Sequence, residues 1–212
     1  MTVFKRVSRM RQLLVGALGV GMLTACATHT ASLSSYVSPA FQPGLLQSVA
    51  VFPMRNIRLA ASEAQQINRR VSVVISQREL QIELVSPVEA TARLNEHGLA
   101  DDWAVFLLNY ESSGVPDATV LTEIGEALGV DAIIQGEVLD VYQQDGDADG
   151  RTGVTRVAIR FSMLDCLNGT LLWEASSEGR RETAIGGTSV HAPPVIEAIE
   201  LAVDRILEAL PL

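Results

Sequence analysis

The chain has 212 residues, 48% of them hydrophobic, with 16 Lys plus Arg against 25 Asp plus Glu and a formal charge of −9. An acidic surface repels phosphate backbones, so nucleic acid is excluded as an expected partner. It also offers no general attraction to anionic lipid headgroups.

The first 26 residues follow a processing pattern and stand apart from the fold. Lys5, Arg6, Arg9 and Arg11 form a basic leader without an acidic residue. A short apolar run, Leu13 to Met22, follows. A membrane-crossing helix needs roughly 20 apolar residues, so this run suits the core of a signal peptide better than a span. It ends in Leu23-Thr24-Ala25-Cys26, which resembles the lipobox cut by bacterial lipoprotein signal peptidase. The expectation is cleavage after Ala25, a signal peptide over 1–25, and lipid on Cys26, where more than one acyl chain gives firm anchoring. Ala27 after the cysteine, by resemblance to lipoprotein sorting signals, implies the outer membrane. The processed chain carries 12 Arg, no Lys and 25 acids, formally −13. Cys166 is then the only other cysteine, placed at the end of an alternating apolar stretch and expected as a small buried hydrophobe.

Residues 26–46, rich in Ser, Thr, Ala and Pro, are expected to form a lipidated tether, and 47–212 a single periplasmic-side domain. Ser48-Val49-Ala50-Val51-Phe52-Pro53 suits a buried strand ended by proline. Ala60, Ala64, Ile67, Val71, Val74 and Ile75 mark one face of a helix from about Ala60 to Arg78. Gln81 to Val85 is a second strand, and Ser86-Pro87-Val88-Glu89 starts a helix as a capping box with proline at its first position. That helix should stop near Gly98. Asp101 is expected to cap another, with Trp103, Phe106, Leu107 and Tyr110 on one side and core packing as their role. Asp117 caps a further helix carrying Val120, Leu121, Ile124 and Leu128, which ends at Gly129 in a left-handed turn.

The period then changes from helical to alternating. Ala132 to Tyr142 reads as a strand, and Val157, Ile159, Phe161 and Met163 alternate with Ala158, Arg160, Ser162 and Leu164. Asn168-Gly169 marks a hairpin turn, with Thr170 to Ser176 returning as its partner. Pro194 to Leu210 is a closing amphipathic helix. The expected order is β-α-β-α-α-α-β-β-β-α, an α/β mixed-sheet sandwich with helices packed on the sheet.

Little in this pattern points to catalysis. Asp145-Gly146-Asp147-Ala148-Asp149-Gly150 matches the first half of an EF-hand loop, yet Arg156 stands where a bidentate Glu is required. The loop is therefore expected as a metal-free acidic hairpin tip, distal to the membrane. His29, His97 and His191 lie far apart in the sequence, and no nucleophile elbow or phosphate-cradling glycine loop occurs. No catalytic residue, metal ligand or cofactor is expected.

Three segments carry a resemblance: Ser48–Pro53, Leu121–Val138 with its Leu128-Gly129-Val130-Asp131, and Leu164–Trp173. Together they resemble the periplasmic α/β domain shared by the curli-secretion subunit CsgG, the amino-terminal domain of TolB and several small outer-membrane lipoproteins. The resemblance covers about residues 47–210. It implies a fold and an envelope location, and a role as a non-enzymatic accessory or assembly factor acting through envelope protein partners. Such roles include secretion, envelope maintenance or regulation of a cell-wall synthase. Fold alone does not fix function. A periplasmic small-molecule or glycan carrier, and a subunit of a curli-type secretion pore, are the alternatives.

Overall fold

In the computed structural model, residues 28–55, 59–77, 82–147, 149, 151–183 and 191–212 are described. Three antiparallel strands of 13 residues each dominate them: β5 (Ala132–Gln144), β6 (Gly153–Asp165) and β7 (Leu171–Thr183). Before these come β1 (Thr28–Ala31), β2 (Ser34–Val37), a 3-10 turn at Pro43–Leu45, and β3 (Ser48–Val51). Helix α1 (Ala61–Ser76) and β4 (Glu83–Val85) follow, then α2 (Pro87–Glu96), α3 (Ala100–Ser113) and α4 (Ala118–Leu128). Helix α5 (Val195–Glu208) comes after β7.

The sheet runs β1-β7-β6-β5-β3-β4, with β2 also on β7. Strand β3 is parallel to both neighbours, and β1, β2, β6 and β7 pair antiparallel. This is the expected mixed α/β layer arrangement, with the expected element order from β3 onward. Strands β1 and β2 are additional. They lie within the segment expected as tether, and their backbones join the outer edge of β7 in register, Thr28 opposite Glu182 and Val37 opposite Trp173. Edge pairing is made by backbone groups, so a Ser- and Thr-rich composition does not oppose it.

The two faces of the sheet are covered unequally. Strand side chains alternate, so Val157, Ile159, Phe161 and Met163 all point to the face covered by α1 and α5. There Trp173 and Phe161 fill the core with Ile67, Ile199 and Ile206. Helices α2, α3 and α4 cover the other face at one end only, over Ala50, Phe52, Ile133 and Leu164.

Local chemistry sets the helix ends. The Ser86 hydroxyl accepts the Glu89 amide at 3.3 Å with Pro87 at the first helical position. The Glu89 carboxylate turns instead to Arg93, at 2.5 Å. The Asp117 carboxylate accepts the amides of Thr119 and Val120, and Gly129 ends α4 at φ 69°. Asp101 is not a cap: Leu99 holds that position, and Asp101 and Asp102 lie inside the first turn of α3, where negative charge interacts favourably with the helix dipole.

Helix α5 crosses β7 at Gly179. A Cβ there would stand 1.9 Å from the carbonyl oxygen of Ala198, a backbone atom with no rotamer to yield. Gly179→Ala is expected to cost about 1–3 kcal/mol by overpacking. Urea unfolding should show a lower midpoint at unchanged slope; an unaltered midpoint would mean that α5 sits farther from the sheet.

Candidate functional site

Cys26, the one residue assigned a covalent role, lies outside the described residues. The described residues begin two positions later, with Thr28 in strand β1. Thr28 stands opposite Glu182, Glu182 opposite Val154, and Val154 opposite Gln144, so these four form one row across the end of the sheet. The turn between β5 and β6 projects from that row. The acidic tip is therefore at the end where the amino terminus enters.

The tip itself is internally bonded. Asp147 Oδ1 accepts the amides of Asp149 and Arg151, both at 3.1 Å, and its Oδ2 pairs with Arg151. Asp145 accepts the Ala192 amide at 2.7 Å, which holds its carboxyl below the usual range, and faces His191 Nδ1 at 3.6 Å. Arg156, at the twelfth position of the loop pattern, is a strand residue stacked over the Tyr142 ring at 4.6 Å. No group of three or more His, Cys, Asp or Glu converges on a common point among the described residues.

The richest set of charged groups lies in a cleft of about 270 Å³ on the face that α2–α4 leave partly open. The backbone of Arg55 runs beside β5, its amide donating to the Gly136 carbonyl and its carbonyl accepting the Val138 amide. That placement aims the guanidinium at Glu111 on α3, 2.5 Å away, and at Glu137, 3.3 Å away. Arg160 reaches the same Glu137 oxygen at 3.1 Å, and Glu174 at 4.0 Å. Ser162 donates to Glu174 at 3.2 Å. Leu107, Tyr110 and Leu171 make the apolar wall, and burial raises the Tyr110 hydroxyl pKa. Gln135 Oε1 is a buried acceptor without a partner in this cleft. The set links α3, the chain after β3 and the sheet through shared carboxylates. Gln135, Glu137, Arg160, Ser162 and Glu174 are visible as the polar half of the strand alternation; Arg55 and Glu111 carry no local signal.

A second concavity, about 710 Å³, lies between α1 and α2 and is lined by Pro53, Arg69, Val73, Pro87 and Val88 among others. The aromatic stripe is core: Phe52, Trp103, Phe106 and Tyr110 stack in sequence with centroids 4.3, 5.1 and 5.8 Å apart. Cys166 is 4% exposed and packs under Gly125 of α4, and burial pushes its thiol up to about 12. It is the small buried hydrophobe expected, with little thiolate to react. His29 lies in β1 opposite Arg181, and His97 is the C-cap of α2.

No family model and no curated protein matches the chain. Among solved structures it is similar to the PelC dodecamer from Paraburkholderia phytofirmans, at 13% identity and TM-score 0.48, covering 84% of this chain and 95% of that one. It is also similar to lipoprotein GNA1162 from Neisseria meningitidis, at 18% identity and TM-score 0.45, covering 64% and 83%. The carboxy-terminal domain of LpoB from Salmonella enterica gives 13% identity and TM-score 0.36, over 62% and 81%.

The Glu111 carboxyl is held below its ordinary value by the hydrogen bond from Arg55. A lowered folded pKa contributes stability above the unfolded value and loses it as pH falls. Glu111→Gln is therefore expected to lower the melting temperature slightly at pH 7 and by a shrinking margin below about pH 4. A margin that grows on acidification would contradict the pairing.

Proposed function

We propose that this chain is a lipid-anchored accessory protein of the bacterial outer membrane that acts through contacts with envelope proteins and has no enzymatic activity of its own. The observation that carries the reading is the register of basic leader, short apolar core and Leu23-Thr24-Ala25-Cys26. The finer fold assignment, to the CsgG and TolB amino-terminal kind, rests on the three segments that resemble it. Asp131 supplies a physical reason for one of them: its carboxylate accepts the amides of Gln47 and Ser48 at 2.7 and 2.9 Å, joining the starts of β3 and β5. The ion pairs in the Arg55–Glu137–Arg160 cleft favour a binding or structural use over chemistry, since each of these charges has an opposite partner within 3.3 Å.

A carrier of a small apolar molecule is the second reading, favoured by the concavity between α1 and α2. Clefts of several hundred Å³ with apolar lining are the usual form of such sites.

Replacing Cys26 with Ser is expected to abolish fatty-acid labelling in cells and move the protein from the membrane to the soluble fraction. Specific crosslinks to envelope proteins should weaken in the same variant, because tethering raises effective concentration near the membrane. Persistent lipid labelling would refute the anchor. A stoichiometric small ligand on the purified protein, without crosslinked partners, would favour the carrier.

A further inference from the structure

We infer that the domain stands end-on on its membrane, with the β5–β6 turn and the amino-terminal end of β1 against the lipid headgroups. This rests on lipid at Cys26, as proposed above, and adds the orientation that the fold then imposes. Only Ala27 separates Cys26 from Thr28, and two residue steps of extended chain reach about 7 Å at most. Thr28 is already paired with Glu182 in the sheet, so the lipid is held at that end of the domain.

From Thr28 the row passes through Glu182 and Val154 to Gln144. Neighbouring strands are about 4.8 Å apart, so the start of the β5–β6 turn lies roughly 14 Å sideways from the anchoring strand. The turn extends beyond that row, with Asp149 exposed at its tip. At the other end of the same ladder are the β6–β7 turn and Leu45, which is 71% exposed. Strand β6 has 13 residues, which at about 3.3 Å each place this second pole on the order of 40 Å from the first.

The occupant of the acidic end is thus the membrane surface itself. The charge at that end makes the contact unusual in kind. Asp145, Asp147 and Asp149 face anionic headgroups with Arg151 and His191 beside them, so electrostatics does not draw the turn in. The covalent lipid and the short link hold it there, at headgroup depth and no deeper.

The test uses the full lipidated protein, extracted from cells and reconstituted into vesicles of phosphatidylethanolamine and phosphatidylglycerol with a nitroxide on a fraction of headgroups. A fluorophore is placed at Asp149→Cys or, separately, at Leu45→Cys; Cys166 is buried, and the unsubstituted protein controls for its labelling. Quenching is expected to be several-fold stronger at position 149 than at 45. Inserting ten Gly and Ser residues between Ala27 and Thr28 adds about 18 Å of flexible reach and should largely erase the difference. Equal quenching without the insertion, or stronger quenching at 45, overturns the orientation. Mass spectrometry of the same preparations separates the two claims. Lipid on Cys26 with the wrong quenching pattern removes only the orientation, while unmodified Cys26 removes the anchor and the orientation together.

Discussion

The long antiparallel ladder of β5, β6 and β7 is the constraint from which the rest of the domain follows. Thirteen-residue strands give two faces of alternating side chains that must each be accounted for. On one face the alternation delivers Val157, Ile159, Phe161 and Met163 to a continuous apolar surface, which α1 and α5 cover. On the other face the helices α2–α4 reach only the end that carries Ile133 and Leu164. Beyond that end the same face holds the neutral Gln135 with Glu137, Arg160 and Glu174, and these three charges pair with one another and with Arg55. A half-covered ladder therefore produces both the core and the charged cleft.

The parallel strands join this ladder through β3, which pairs with β5 and continues beside it as far as Arg55. Asp131 adds a side-chain joint, since its carboxylate receives the amides of Gln47 and Ser48 while its own carbonyl accepts the Cys166 amide from the β6 end. Asp165 plays the matching part in the β6–β7 turn, accepting the amides of Leu167 and Asn168. Gly125 allows α4 to lie against Cys166, where a Cβ would stand 2.6 Å from the cysteine Cβ. These residues fall inside the segments whose pattern suggested a family, and each has a local reason to be what it is.

The legible parts of the fold are those written in one stretch of chain. Ser86, Asp117 and Gly129 announce helix ends by their own side chains or the lack of one, and Val157–Met163 announce a strand by period. Strands β1 and β2 were not legible because they are made by backbone pairing on the β7 edge, which composition does not encode; a Ser- and Thr-rich run reads equally well as a tether. Asp101 misled because an acidic residue suits a cap and a first turn alike. The charged cleft was half legible: its strand residues show in the alternation, while Arg55 and Glu111 meet them only through tertiary placement. Cys26, expected from its motif as the lipid site, lies outside the described residues.

That residues 28–37 are part of the sheet is the claim on which the domain boundary and its orientation both turn. Hydrogen exchange on the folded protein tests it directly. In an antiparallel edge strand alternate amides point inward, so roughly half of the amides in this segment should exchange slowly. The Ser32 amide, which donates to the Glu178 carbonyl at 3.1 Å, should be among them. Exchange of the whole segment at unprotected rates, with β6 still slow, would contradict the pairing and return 28–37 to the role of a tether.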